Sequence, residues 1–499
     1  MKVISLETII PNFLKQRAFL TPNRNALVFE NKTWSFAQLF EKAKDYAQTI
    51  SSLGIKQEDT VALLMKNRPS TVFIIHALQQ LRVKAVFLNH RLTPSEMTFQ
   101  LKDSQAKLLI SDDDFKHILN EIHPLYDSLP LLTFKELESL PKKDIEVVKE
   151  YMLSDICSIM YTSGTTGNPK GVLQTFGNHW WSAVGSALNL GIRDDDAWLC
   201  TVPIFHISGL SILMRSVIYG IPVYLMEQFN ETKVNTLLQT GDITIMSVVG
   251  AMLQRMVSSL NEQGYHSKFR CMLLGGGPAP RPLLEACAEK GIPVFQSYGM
   301  TETSSQIVTL APEDSLKKLG SAGKPLFPSE LKIMSEGKVN KPFEPGEIVV
   351  KGPNVTIGYL NRPEANQNSF CEGWLKTGDI GYVDEEGYLF VMDRRSDLII
   401  SGGENIYPAE IEEVLLAHPN VEEAGVTGIK DEVWGQVPIG FVVLNHSVSE
   451  EELISFCRKK LAKYKIPKKL YKVESLPRNA SNKLLRRRLI EIIPKDMEI

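Results

Sequence analysis

Residues 161–171 read Tyr161-Thr-Ser-Gly-Thr-Thr-Gly-Asn-Pro-Lys-Gly171, continuing an apolar, strand-like run, ICSIMY (Ile156–Tyr161). Hydroxyls are packed beside two glycines, and a lysine follows. Glycines at 164 and 167 let backbone N–H groups approach a polyphosphate closely. Ser163, Thr165 and Thr166 can donate to non-bridging oxygens, and Lys170 can neutralise charge. No G-K-[ST] ends the loop, so it is not a Walker A segment, and a P-loop NTPase is the wrong class.

Outward from this loop the chain alternates strands and helices. Upstream, Lys42–Leu53 has apolar residues at helical spacing (Ala43, Tyr46, Ala47, Ile50, Leu53), Thr60–Met65 (TVALLM) reads as a buried strand, Ser70–Leu81 as a helix, and Lys84–Leu88 and Leu108–Ser111 as further strands. Strand, helix, strand at this spacing predicts βαβ units and a mostly parallel sheet, hence an α/β fold. Downstream, the apolar runs Pro222–Met226, Thr244–Gly250 and Met272–Gly277 predict a second α/β region. From 320 to 393 short alternating runs sit between Gly, Pro, Asn and Asp turns, which predicts antiparallel β structure. The last hundred residues read as separate, with a boundary near Arg395–Asp397 and an amphipathic helix through Ile411, Val414 and Leu415.

Composition narrows the class. The chain has 499 residues, 43% apolar and 23% charged, which supports a large core and excludes whole-chain disorder. Lys+Arg 55 against Asp+Glu 58 carries no electrostatic signature of a nucleic-acid binder. Residues 458–488 hold thirteen Lys or Arg and one acid, Glu474, which is either a solvated face or a docking surface for a polyphosphate. Six scattered cysteines form no metal-ligand spacing and read as reduced thiols of a cytoplasmic protein. No run of 18 apolar residues predicts a membrane span. A homo-oligomer is compatible with all of this.

Further motifs follow in order: Gly275-Gly-Gly277-Pro278, Tyr298-Gly-Met-Thr-Glu302, Thr377-Gly-Asp379, Asp393-Arg394, Ser401-Gly-Gly-Glu-Asn405 and Pro477-Arg-Asn-Ala-Ser-Asn-Lys483. Together with the 161–171 loop, these resemble the adenylate-forming superfamily of acyl- and aryl-CoA ligases, luciferases and peptide-synthetase adenylation domains, from about Trp34 to Arg486.

The resemblance implies a large N-terminal domain (1–395) of α/β sheets with a small β-barrel-like part. A small mobile α+β domain (396–499) would follow, hinged near Ser396. It implies that a carboxylate attacks the α-phosphorus of ATP and that a thiol, CoA, then displaces AMP. By the same resemblance, ATP is held by Thr162, Ser163, Gly164, Thr165, Thr166, Gly167, Lys170, Gly276, Gly277, Pro278, Tyr298, Gly299, Thr301, Asp379, Arg394 and Lys483. Thr301, Glu302, Arg394 and Lys483 would be catalytic. Glu302 would carry Mg²⁺, Asp379 the ribose hydroxyls, and Lys483 would bridge the carboxylate and the α-phosphate. Ser401, Gly402 and Gly403 would face CoA. Asn482 stands where relatives usually carry Gly, and Ser396 where they carry a charged hinge residue.

The acyl side is read from three stretches. NHWWSAVGSALNLG carries paired Trp180 and Trp181, whose spacing predicts core. PIFHISGLS places His206 where relatives set a gate against the acyl group. Thr303–Gln306 forms a polar wall, unlike the apolar wall that a fatty-acid tail needs. A polar wall beside an aromatic slot suits an aromatic acid with a second polar group; the resemblance implies an aromatic dicarboxylate, with His206, Ser208 and Ser305 as acyl contacts. Other aryl- or medium-chain acyl-CoA ligases, and carrier-loading adenylation modules, share the ATP motifs, so the acyl pocket and CoA dependence must separate them.

Overall fold

The computed structural model describes residues 9–162, 169–276, 279, 281–393, 397–477, 484 and 486–493. Ser163, Gly164, Thr165, Thr166, Gly167, Gly277, Pro278, Arg394, Ser396 and Lys483 lie outside the described residues.

The upstream strands form a seven-stranded sheet. Ile156–Thr162 lies parallel to Lys84–Phe87, which is parallel to Thr60–Leu64, which is parallel in turn to Leu108–Ser111. Every residue of Thr60–Leu64 is buried, as expected of a strand covered on both faces. Lys170–Thr175 folds back antiparallel on Ile156–Thr162, pairing Lys170 with Thr162, so the 161–171 loop spans the end of a hairpin. The helix expected from Lys42 starts earlier, at Phe36, and runs to Ser52. The reason is a capping box: the Gln38 N–H donates to Ser35 Oγ and the Ser35 N–H donates to Gln38 Oε1. The next helix, Pro69–Gln80, begins with proline at its first turn.

A second sheet carries Asn25–Phe29, Val223–Leu225, Trp198–Cys200, Ile245–Val249, Cys271–Gly275 and Val294–Met300 in parallel. It continues without a break into the expected antiparallel part, through Ser305–Leu310, Ser321–Pro325, Leu389–Asp393, Trp374–Val383, Gly346–Lys351 and Glu330–Ser335. After residue 397 a five-stranded sheet, built on Val421–Asp431 and Gly435–Leu444, shares no strand with the others among the described residues. Helix Pro408–Leu416 buries Ile411 and Leu415 against it.

Candidate active site

The site lies where the ends of both large sheets meet the last one. A cavity of about 610 Å³ is lined by His206, Ser208, Ser305, Thr301, Gly276, Gly299 and Gly403, so the structure brings together residues expected for acyl, ATP and CoA. Val248, Leu273 and Met300 supply apolar wall. A smaller space of about 90 Å³ joins Thr162, Thr301 and His206 to Glu404, Asn405 and Lys465.

Thr301 and Glu302 sit on a 3₁₀ turn directly after strand Val294–Met300. A buried relay holds that turn from behind. Gln174 Nε2 donates to the Thr301 carbonyl at 2.9 Å, and Ser158 Oγ donates to Gln174 Oε1 at 2.7 Å. Because the Ser158 proton is committed, His179 Nε2, 2.8 Å away, is the donor to Ser158 Oγ. Burial pushes the His179 imidazole down to about 3, so it stays neutral. Glu302 is 2% exposed, and its Oε1 accepts from Tyr359 at 3.0 Å. Mg²⁺ takes one or two carboxylates plus phosphate oxygens and water, so a single buried carboxylate beside the 161–171 hairpin fits a metal that arrives with a nucleotide.

The T-G-D segment is anchored from within. Thr377 Oγ donates to the Ile348 carbonyl and accepts from the Asp379 N–H. Tyr298, itself buried, donates to Asp379 Oδ2 at 2.7 Å and fixes the carboxylate. At Gly299 a Cβ would lie 2.2 Å from the Ser305 carbonyl oxygen, so only hydrogen fits. Ser304 and Ser305 both hold positive φ, 53° and 107°, a conformation that a serine adopts only when its surroundings impose it. Of the expected wall Thr303–Gln306, only Ser305 and Gln306 line the cavity, because Thr303 and Ser304 turn wholly into the core; Ser211 Oγ, also on the wall, donates to Ser305 Oγ at 3.4 Å.

One wall residue was not anticipated. Arg215 lies on helix Ile207–Tyr219, is 1% exposed, and lines the large cavity. None of its three guanidinium nitrogens has a hydrogen-bond partner among the described residues. Its guanidinium carbon stands 5.3 Å from the Trp198 ring centroid. Burial pushes this arginine below its ordinary value. The available signal was a single charge inside the apolar run GLSILMRSVIY. Trp180 and Trp181 are only half-buried, and Trp180 stacks on Phe13, away from the cavity.

The Ser401–Asn405 segment is a hairpin turn between Ile399–Ser401 and Glu404–Ile406. It reaches the large sheets through Glu404, which accepts from Asn89 Nδ2 and Arg91 Nη1, both at 3.0 Å, with His206 Nε2 at 3.4 Å. Burial would raise the Glu404 carboxyl, but His206, Arg91 and Asn89 outweigh it and hold it below the usual range. Nearby, Lys465 Nζ donates to Glu96 and Glu410, each at 2.7 Å, a second charged link across the same junction. Trp434 covers Gly402, where a Cβ would meet its ring at 2.7 Å, and lines the cavity mouth.

Residues 14–360 match the AMP-binding enzyme family, and residues 410–483 match the AMP-binding enzyme C-terminal domain. The 2-succinylbenzoate–CoA ligase of Geobacillus kaustophilus is 59% identical over 490 residues, covering 98% of this chain and 99% of the relative. That of Bacillus anthracis is 53% identical over 488 residues, with 98% and 99% covered. A double mutant of the o-succinylbenzoate CoA synthetase of Bacillus subtilis, bound with its product analogue OSB-NCoA, superposes with TM-score 0.93 at 52% identity, covering 97% of this chain and 99% of that one. The same B. subtilis enzyme in complex with the acyl-adenylate intermediate OSB-AMP superposes with TM-score 0.76 at 53% identity, covering 97% and 98%.

Proposed function

Because this chain belongs to the AMP-binding enzyme family, we infer that it joins 2-succinylbenzoate to CoA, with ATP converted to AMP and diphosphate, as a step of menaquinone biosynthesis. One observation beyond the relatives carries this reading. A buried guanidinium with no hydrogen-bond partner among the described residues faces a serine-lined cavity. An arginine so placed calls for a planar anion, and 2-succinylbenzoate has a second carboxylate to offer it. A fatty acid or a simple benzoate has none.

The reaction is two displacements. A carboxylate oxygen of the substrate attacks the α-phosphorus and diphosphate leaves; the thiol sulfur of CoA then attacks the acyl carbon and AMP leaves. Glu302 would hold a Mg²⁺ that arrives with ATP, which would supply charge neutralisation at the phosphates. Lys170 and the hydroxyls of the 161–171 loop hold the phosphates, Thr301 touches the α-phosphate, Arg394 reaches the ribose and phosphates, Asp379 holds the ribose hydroxyls, and Lys483 bridges carboxylate and phosphate. Donors and cations held ready before charge shifts are where such sites gain most of their effect. Arg215, Ser208 and Ser305 hold the spectator carboxylate and the ketone side of the substrate.

The chain divides into a large domain, 1–395, and a small one, 396–499, hinged near Ser396. The better superposition on the product-analogue complex than on the adenylate complex supports reading the Glu404 and Lys465 contacts as the thioester-forming arrangement, with Ser401, Gly402 and Gly403 beside the thiol path. Six free thiols, five of them buried, fit a reducing cytoplasm. No helix among the described residues is long and apolar enough to cross a membrane.

The test is ATP–diphosphate exchange over a carboxylate panel, followed by CoA-dependent AMP release. Exchange with 2-succinylbenzoate above benzoates and octanoate supports the reading, and the reverse order sinks it.

A further inference from the structure

The short strand Gly358–Tyr359 lies antiparallel to Lys170–Thr175, with Tyr359 opposite Val172. Asn366 clamps its backbone on both sides: the Tyr359 N–H donates to Asn366 Oδ1 at 2.7 Å, and Asn366 Nδ2 donates to the Tyr359 carbonyl at 3.0 Å. The same segment grips Glu302 twice. The Thr356 N–H donates to the Glu302 carbonyl at 2.7 Å, and the Tyr359 hydroxyl donates to Glu302 Oε1 at 3.0 Å. The Lys170 ammonium stands 5.5 Å from the centroid of the Tyr359 ring, within cation–π range. One phenol, held rigidly by its backbone, therefore touches both the carboxylate and the ammonium that the sequence motifs assign to metal and phosphate.

We propose that Tyr359 is a positioning residue for the adenylation step, orienting the Glu302 carboxylate through its hydroxyl and carrying Lys170 on its ring. The proposal rests on the reading of Glu302 and Lys170 given above. A hydrogen bond to Oε1 fixes the rotation of the carboxylate plane, so Oε2 is presented in one direction. Without the hydroxyl the carboxylate turns, and the metal loses a preset ligand. A tyrosine that only filled space would do as well with its hydroxyl removed.

Calorimetric binding of ATP to the whole chain, with Mg²⁺ and with chelator, separates these cases without needing any acyl acid. Tyr359→Phe should weaken MgATP binding about tenfold, the scale of a lost hydrogen bond to a charged group. It should leave metal-free ATP binding within about twofold. Tyr359→Leu, which also removes the shelf under Lys170, should weaken metal-free ATP as well. In exchange assays the Mg²⁺ half-saturation of Tyr359→Phe should rise by a similar factor, while thioester formation from supplied acyl-adenylate is spared. In a Glu302→Gln background the Phe substitution should add nothing. Unchanged MgATP affinity in Tyr359→Phe overturns the proposal. So does equal loss for metal-free ATP and thioester formation, or additive loss in the double variant. A wild-type chain that binds MgATP yet exchanges with none of the acids would refute the substrate reading and leave this comparison intact.

Discussion

Replacing Arg215 by methionine should cut activity sharply while leaving stability within about 2 kcal/mol of the wild type. Truncating a large buried side chain normally destabilises by about 2–5 kcal/mol. Arg215 is an exception, because its three guanidinium nitrogens are buried without partners among the described residues. Exchanging a buried charge for an apolar side chain of similar volume is neutral or stabilising by about 1–4 kcal/mol. Against this stands the lost interaction with Trp198, about 2 kcal/mol when desolvated. Together these place the ligand-free variant between about 2 kcal/mol less and about 2 kcal/mol more stable than the wild type.

Substrate use should fall instead. Leaving a carboxylate buried opposite methionine costs about 3–5 kcal/mol, which at about 1.4 kcal/mol per decade is roughly 100- to 4000-fold in kcat/KM for 2-succinylbenzoate. Urea unfolding of the ligand-free protein gives the first quantity and ATP–diphosphate exchange the second. Mono-acids related to 2-succinylbenzoate but lacking one carboxylate serve as controls. Any that the wild type accepts without its Arg215 partner should be turned over equally well, or better, by the variant. A loss of several kcal/mol in stability, unchanged use of 2-succinylbenzoate, or an equal loss on the mono-acids would refute the assignment.

The other predictions are as follows. Lys483→Ala should lower the adenylation rate about 10²- to 10³-fold and spare thioester formation from supplied adenylate; equal loss in both halves contradicts the bridging role. Glu404→Ala removes the acceptor of Asn89 and Arg91, so thioester formation should slow about tenfold with exchange little changed, and stopped-flow measurement of each half would expose the opposite pattern. His179 is buried neutral with its value pushed down to about 3, against about 6.5 unfolded. Its contribution is therefore complete above the unfolded value and is lost as pH falls. The wild type should lose stability relative to His179→Gln by about 1.4 kcal/mol per pH unit below pH 6.5, and parallel curves down to pH 4.5 would show that the ring is not protonated at this cost.

Much of the fold was legible because its signals are local. The continuous run TVALL gave a strand buried on both faces, and alternating runs between turn residues gave the antiparallel part from 320 to 393. The helix start at Phe36 was missed because Ser35 and Gln38 cap it ahead of the apolar periodicity. The paired tryptophans follow a core pattern, yet helical spacing alone does not say how completely a face is covered, and both are half-buried.

Contiguous motifs also singled out the residues proposed for the nucleotide side of the site. In the T-G-D segment and at the Thr301–Glu302 turn some bonds join near neighbours, the Asp379 N–H donating to Thr377 Oγ and the Met300 N–H to Thr303 Oγ. What only tertiary structure decided are the partners between distant elements. Arg215 has meaning only because helix Ile207–Tyr219 turns it into a cavity shared with Ser305. Tyr359 reaches Glu302 across 57 residues of sequence, and Glu404 reaches Asn89 across 315. No periodicity encodes such pairs: they arise when separate sheets pack, and packing depends on the whole core rather than on any one segment.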